Sequence, residues 1–224
     1  MQNAQERAEP RWHAAILVAA ALALYVTLPP KVVVGPLWLL PTLILVILVP
    51  LLVIAPRRHN EAVWQRGASI LQITLLGGFN IANIVLLFVW QLSEHHHKNI
   101  TGEDLLRAGA AIWLTNVIVY GLWFWEIDRG GPDRRNRIPF EKEPDRWDFM
   151  FPQMAMPPEL AQRMHWRSRL LDYVFISFTN ATAFSPTDTY PLSRLAKMLM
   201  MVEALKSLVT IALIAGRAVN ILGS

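Results

Sequence analysis

Five apolar runs govern what this chain can fold into, each close to the roughly 20 residues a helix needs to cross about 30 Å of hydrocarbon. They are Trp12–Leu28, Val32–Ala55, Ala68–Leu92, Leu105–Ile127 and Leu195–Leu222. Hydrophobic residues make up 54% of the 224 and charged residues 17%, against roughly 45–50% and 25% in soluble domains. The expectation is an all-α integral membrane protein with about five transmembrane helices. The sequence holds no cysteine, which excludes a disulfide framework, a thiol nucleophile and a thiolate metal site. The net charge of +4 does not imply nucleic acid, because the cations flank apolar runs and no aromatic-basic RNA motif accompanies them.

Prolines and polar residues grade these runs. Pro29-Pro30 closes the first, whose upstream flank is too mixed in charge for a secretory leader, so an uncleaved helix is expected. Pro36, Pro41 and Pro50 predict a bent second helix. The third is interrupted by Gly77-Gly78 and carries Gln72, Thr74, Asn80 and Asn83, while the fourth carries Thr115 and Asn116. At that depth these side chains serve as hydrogen-bonding glue between helices. Trp113, Trp123 and Trp125 suit the membrane interfaces.

Three regions result: a four-helix part (1–127), a polar linker (128–170) and a C-terminal part (171–224). Asp128–Arg169 contains GGPDRRNR and EKEPDR and reads as a segment in water. Its later part, Pro158–Leu170, has the pattern of an interfacial amphipathic helix, with Leu160, Met164 and Trp166 opposite Arg163, Arg167 and Arg169. Leu171–Phe184 is apolar but about 14 residues long, short for a crossing and suited to a re-entrant helix. With the amino terminus inside, fourteen lysines and arginines collect on the inner side, against Lys31, Lys98 and Arg107 outside. The positive-inside rule therefore puts the amino terminus and the linker in the cytoplasm.

From Asp172 the chain reads DYVFISFTNATAFSPTDTYPLSRLAKMLMMVEALKSLVTIALIAGRAVNIL. A short aromatic helix, a threonine-rich loop, an aspartate, a proline and a long apolar helix follow one another. This segment resembles the pore module of potassium channels, as in uncharacterised bacterial inner-membrane proteins, over about 50 residues. Ser177-Phe178-Thr179, Thr182, Asp188, Pro191 and Val202-Glu203-Ala204-Leu205 carry the likeness. The resemblance implies a pore helix, a filter loop along Thr182, Ser185, Thr187 and Asp188, an inner helix and a homo-tetramer. Ser185 and Thr187 stand where the family's filter has glycines, and Pro186 stands where it has tyrosine. Threonine resists the positive φ that turns filter carbonyls toward one axis, so the filter is degenerate. Lys206-Ser207 occupies the place of the hinge glycine. Channel pore loops enter from outside, whereas the charge count puts the linker inside. An inverted loop, a sixth short crossing or a failure of the charge rule would each reconcile the two.

Glu203 and Lys206 lie three apart within the last apolar run, where ionisable groups usually line a path or meet a partner. They could equally pair with each other near one interface. The hydroxyls of the Thr182–Thr189 loop with Asp188 could take a hard cation, or could satisfy a tight turn. Glu94-His95-His96-His97 is the one metal-like cluster, and consecutive histidines in a loop cannot converge on one ion, so no metal site is expected. No nucleophile motif or phosphate loop occurs; neither enzymatic activity nor a cofactor is expected. The leading expectation is passive, poorly selective ion permeation by an oligomer. A non-conducting membrane scaffold or subunit, docking a cytoplasmic protein through 128–170, is the alternative, and a membrane-embedded enzyme is third.

Overall fold

Helix ends follow the local chemistry. Helix α1 (Trp12–Val26) stops where the Thr27 hydroxyl donates back to the Leu24 carbonyl at 2.6 Å, ahead of two prolines. Helix α2 (Leu39–Ile54) begins later than its apolar run. Val32–Trp38, expected as helix, holds only a single 3₁₀ turn at Pro30–Val32. Pro36 bars its predecessor from the helical region, and Gly35 takes φ +74°. Pro41 then falls in the first turn, where backbone donors are free anyway, and Pro50 alone is interior. Helix α3 (Ala62–Leu92) runs unbroken through Gly77-Gly78. Helix α4 (Gly102–Ile127) opens on a reciprocal cap, Thr101 and Asp104 each accepting from the other's backbone N–H.

The chain continues through a 3₁₀ turn (Asp128–Gly130), α5 (Pro132–Arg137), a two-residue strand β1 (Phe149–Met150), α6 (Leu170–Ala183), β2 (Tyr190–Pro191) and α7 (Arg194–Leu222). This computed structural model describes residues 11–54, 62–92, 101–138, 142, 144–157, 160, 163, 166–183 and 188–222. The protein is mostly helical. Three helices, α3, α4 and α7, are long and apolar enough to cross a membrane; α1 and α2 are shorter apolar helices.

Side-chain contacts fix the relative directions. Arg11, ahead of α1, meets Ser69 early in α3 and Glu126 at the end of α4. Lys31, between α1 and α2, lies 5.3 Å from the Trp90 ring late in α3. Successive helices α1 to α4 therefore alternate in direction, and Arg11, Arg66 and the linker share one end. Helix α4 is the hub: α1, α3, α6 and α7 all pack on it. Helices α6 and α7 run antiparallel to α4, with Gly121 against Val174 and Gly109 against Ile214. At Gly121 an added Cβ would stand 3.0 Å from the Val174 Cα, so the missing side chain sets how closely α6 approaches.

Part of the linker packs back onto the end of α4. Asp128 Oδ1 accepts from the backbone N–H groups of Asp148 and Phe149 at 3.2 and 3.3 Å. Its Oδ2 accepts from the Tyr173 hydroxyl at 2.5 Å. Arg135 donates to the Trp125 and Asp128 carbonyls at 2.9 and 3.1 Å, satisfying groups that a helix end leaves open. Phe149 and Phe151 are buried on Tyr173, with ring centroids 6.3 and 5.4 Å away. Asp128 and Arg135 thus close the end of α4, while Arg137, Lys142, Asp145 and Arg146 stay exposed. Residues 166–169 are not helical, so the expected amphipathic helix does not reach Leu170; Trp166 packs on the Phe151 ring instead. Most of the remainder of Pro158–Leu170 lies outside the described residues. Trp125, expected at an interface, is buried at 1% exposure with the Arg11 guanidinium 5.9 Å above its ring.

Strands β1 and β2 are antiparallel, Phe149 opposite Pro191 and Met150 opposite Tyr190. The Leu192 N–H donates to the Asp148 carbonyl at 2.8 Å. The start of α6 and the start of α7 are thus both held at the linker end of α4.

Candidate functional site

The polar side chains buried deepest in the apolar bundle meet where α4, α6 and α7 touch. Glu203 on α7 has no exposed surface. Its carboxyl faces α6: Oε1 lies in hydrogen-bond contact with Ser177 Oγ, and Oε2 accepts from Asn180 Nδ2 at 2.7 Å. Asn180 spends its other N–H on the Met200 carbonyl at 2.9 Å, and Ser177 Oγ is 2.7 Å from the Val117 carbonyl of α4. On the α4 side, Asn116 Nδ2 donates to Ser207 Oγ at 2.9 Å and approaches the Glu203 carbonyl at 3.4 Å. One carboxyl, two carboxamides and two hydroxyls thereby tie three helices together.

Lys206 does not complete an ion pair with Glu203. Its Nζ, buried and without a hydrogen-bond partner among the described residues, lies 5.0 Å from the centroid of the Tyr120 ring. The sequence alternatives were a shared path and a self-paired couple near an interface. Both side chains instead sit inside this chain, each facing a different neighbouring helix.

The other candidate positions divide by location. Asn80 donates to the Ile112 carbonyl at 2.9 Å, joining α3 to α4. Asn83, oriented with its nitrogen inward, reaches the Val32 and Phe79 carbonyls at 3.3 and 3.2 Å. Asn80 and Asn116 thus bond to neighbouring helices, and Asn83 to the turn before α2 and to its own helix. Thr182 is exposed at the end of α6 and bonds back to the Phe178 carbonyl at 2.8 Å, while Asp188 is exposed at the linker end. Ser185 and Thr187 lie outside the described residues, as does the Glu94–His97 cluster. Among the described residues, no group of three metal-ligating side chains converges.

Sequence reasoning singled out neither Tyr120 nor Asn180. Asn180 carries a signal in hindsight, being the one carboxamide in the α6 run, a single turn from Ser177. A second polar cluster at the linker end was also missed. There Arg11 donates to Ser69 at 2.9 Å, to the fully buried Glu126 at 3.1 Å and to Asp133 at 2.6 Å. Nearby, burial raises the Asp148 carboxyl above the usual aspartate range, although it accepts the Arg129 backbone N–H at 3.0 Å. Comparison with protein-family models, curated proteins and solved structures finds no match for this chain.

Proposed function

We propose that this protein is a non-conducting membrane scaffold or subunit, in which the channel-like helix–loop–helix has become a packing element. The observation that carries this reading is the enclosure of Glu203 and Lys206 by α4 and α6 of their own chain. Groups so consumed are not free to line a path shared between subunits. In this reading α1 to α4 and α7 make five crossings, and α6 is re-entrant. At 14 residues, α6 spans only about 21 Å, and the chain is back at the same end by β2. The positive-inside rule puts that end, with the amino terminus and the linker, in the cytoplasm of a bacterial cell. The loop then enters from the side opposite to that of channel pores, which also argues against a shared conduction mechanism. Exposed Arg137, Lys142, Asp145 and Arg146 on the linker supply the surface for a cytoplasmic protein partner.

The test is flux from proteoliposomes carrying the purified protein. A scaffold gives no potassium or sodium flux above protein-free vesicles. Conductance that depends on Lys206 would overturn it.

Poorly selective permeation by a homo-oligomer is the second reading, favoured by the exposure of Thr182 and Asp188 and by the apolar outer faces of α6 and α7, including Phe175, Phe178, Met201 and Leu205. It requires a tetramer in native mass spectrometry together with flux sensitive to Thr187 substitution.

A further inference from the structure

Ser177 Oγ lies within hydrogen-bond reach of two oxygens at once, the Val117 carbonyl and Glu203 Oε1. A serine hydroxyl has one proton to give, and a backbone carbonyl can only accept. If Glu203 were ionised, that single proton would serve one oxygen, and the other would face Ser177 Oγ with lone pairs on both sides. A proton on Glu203 Oε1 removes the conflict: the acid O–H donates to Ser177 Oγ, and the serine O–H donates on to Val117. Oε2 then acts as the carbonyl oxygen of a neutral acid and accepts from Asn180.

The surroundings agree with this inventory. Among the described residues, the titratable or charged groups facing Glu203 are Lys206 on its own helix and Tyr120 on α4. The groups presented by α6, Ser177 and Asn180, are neutral. Lys206 is turned to the Tyr120 ring, and no ion pair within 4.0 Å joins it to Glu203. An ionised carboxylate here would be a buried charge without a charged hydrogen-bond donor, an expensive arrangement.

We infer that Glu203 is a proton-binding site, and that the bound proton latches α6 to α4 and α7 through Ser177. Losing it leaves a charge in the bundle and one hydroxyl shared between two acceptors, so the hold on α6 weakens. The inference is independent of whether the protein conducts, because it concerns the packing of helices within one chain.

The experiment is infrared spectroscopy of the full-length protein in lipid nanodiscs at neutral pH, with ¹³C-carboxyl glutamate to separate glutamates from aspartates. Expected is the C=O stretch of a protonated carboxylic acid, shifting in D₂O, absent in Glu203→Gln, displaced in Ser177→Ala and retained in Lys206→Met. As pH is raised until the band disappears, the protection factors of the α6 amides, taken against the intrinsic base-catalysed rate at each pH, should fall. In Glu203→Gln, whose amide N–H replaces the acid O–H toward Ser177, the protection factors of α6 should no longer change with pH. If Glu203→Gln fails to fold, the ¹³C carboxyl shift of wild-type Glu203 by solid-state NMR answers the same question. A carboxylate at neutral pH by either measurement overturns the inference, as does an acid band that survives in Glu203→Gln unchanged.

Discussion

Glu203 and Lys206 sit one turn apart on α7 yet turn to different helices, the carboxyl to Ser177 and Asn180 of α6 and the amine to the Tyr120 ring of α4. The two residues join three helices and do not neutralise each other. Their separation makes their substitutions separable. Methionine at 206 keeps the length of the stem and removes an amine that makes no hydrogen bond among the described residues. Lys206→Met should therefore leave the melting temperature in detergent unchanged or raised, as replacement of buried charge by apolar volume often does. A fall of more than a few degrees would show that the amine has a role this geometry omits.

Arg11 presents the reverse case. Its guanidinium pairs at 3.1 Å with the fully buried Glu126. Arg11→Met strands that carboxylate and should destabilise the protein by about 3–5 kcal/mol. Adding Glu126→Gln should recover a large part of the loss. A double-mutant cycle measured by thermal unfolding in detergent checks both, and additive effects would contradict the pairing.

Gly121 and Gly109 offer a graded comparison. An added Cβ at Gly121 meets the Val174 backbone at 3.0 Å, whereas at Gly109 it meets only the Ile214 side chain. Backbone must move in the first case; in the second the approach is closer still, 2.5 Å to Ile214 Cγ1, and a β-branched side chain in a helix has one favoured χ1 rotamer, so Ile214 and its helix must shift as well. Gly121→Val should cost about 1–3 kcal/mol through overpacking and loosen α6, read as faster hydrogen exchange there. Gly109→Ala should also destabilise, by about 1–3 kcal/mol of overpacking less a gain in helix propensity of about 1 kcal/mol.

Tyr173→Phe removes the hydroxyl that donates to Asp128 at 2.5 Å and contacts Ser168 Oγ at 2.9 Å. Hydrogen bonds to a charged acceptor contribute about 1.5–3 kcal/mol, so the linker should detach more readily. Limited proteolysis between α5 and α6 should speed up while the spans stay protected. Unchanged cleavage would show that the aromatic contacts alone hold the linker.

Asp148 gives the linker a pH response with a definite sign. Burial raises its carboxyl in the folded protein, so the fold binds that proton more tightly than the unfolded chain does. This contribution favours the fold below the ordinary aspartate value and is lost as pH rises through the raised one. Asp148→Asn should remove that component from a plot of linker protection against acid pH. A slope that survives in the variant would assign it to another group.

Much of the helical framework was legible because apolar run length reports it directly, and Asn80, Asn83 and Asn116 stood out as polar residues within those runs; the carbonyls and the hydroxyl they reach lie on other elements or on their own helix, which the fold alone defines. Val32–Trp38 failed as helix because apolar content says nothing about Gly35 and Pro36 fixing the backbone. The anchoring of the linker was not legible for a different reason: Asp148 and Tyr173 lie 20 and 45 positions from Asp128, and no local period announces such a meeting. The partners of Glu203 were hidden in the same way. Its position in an apolar run marked it as unusual, but Ser177 and Asn180 lie 26 and 23 residues away on a helix whose depth only the fold defines.

The two-residue pairing of β1 with β2, reinforced by Leu192 on Asp148, has a mechanical meaning. It buckles the segment before α6 to the segment just before α7, so the polar linker and the longest C-terminal helix are harnessed at one point. A molecule gripping the linker would be pulling on the root of α7, and force applied there would travel along the rod that bears Glu203.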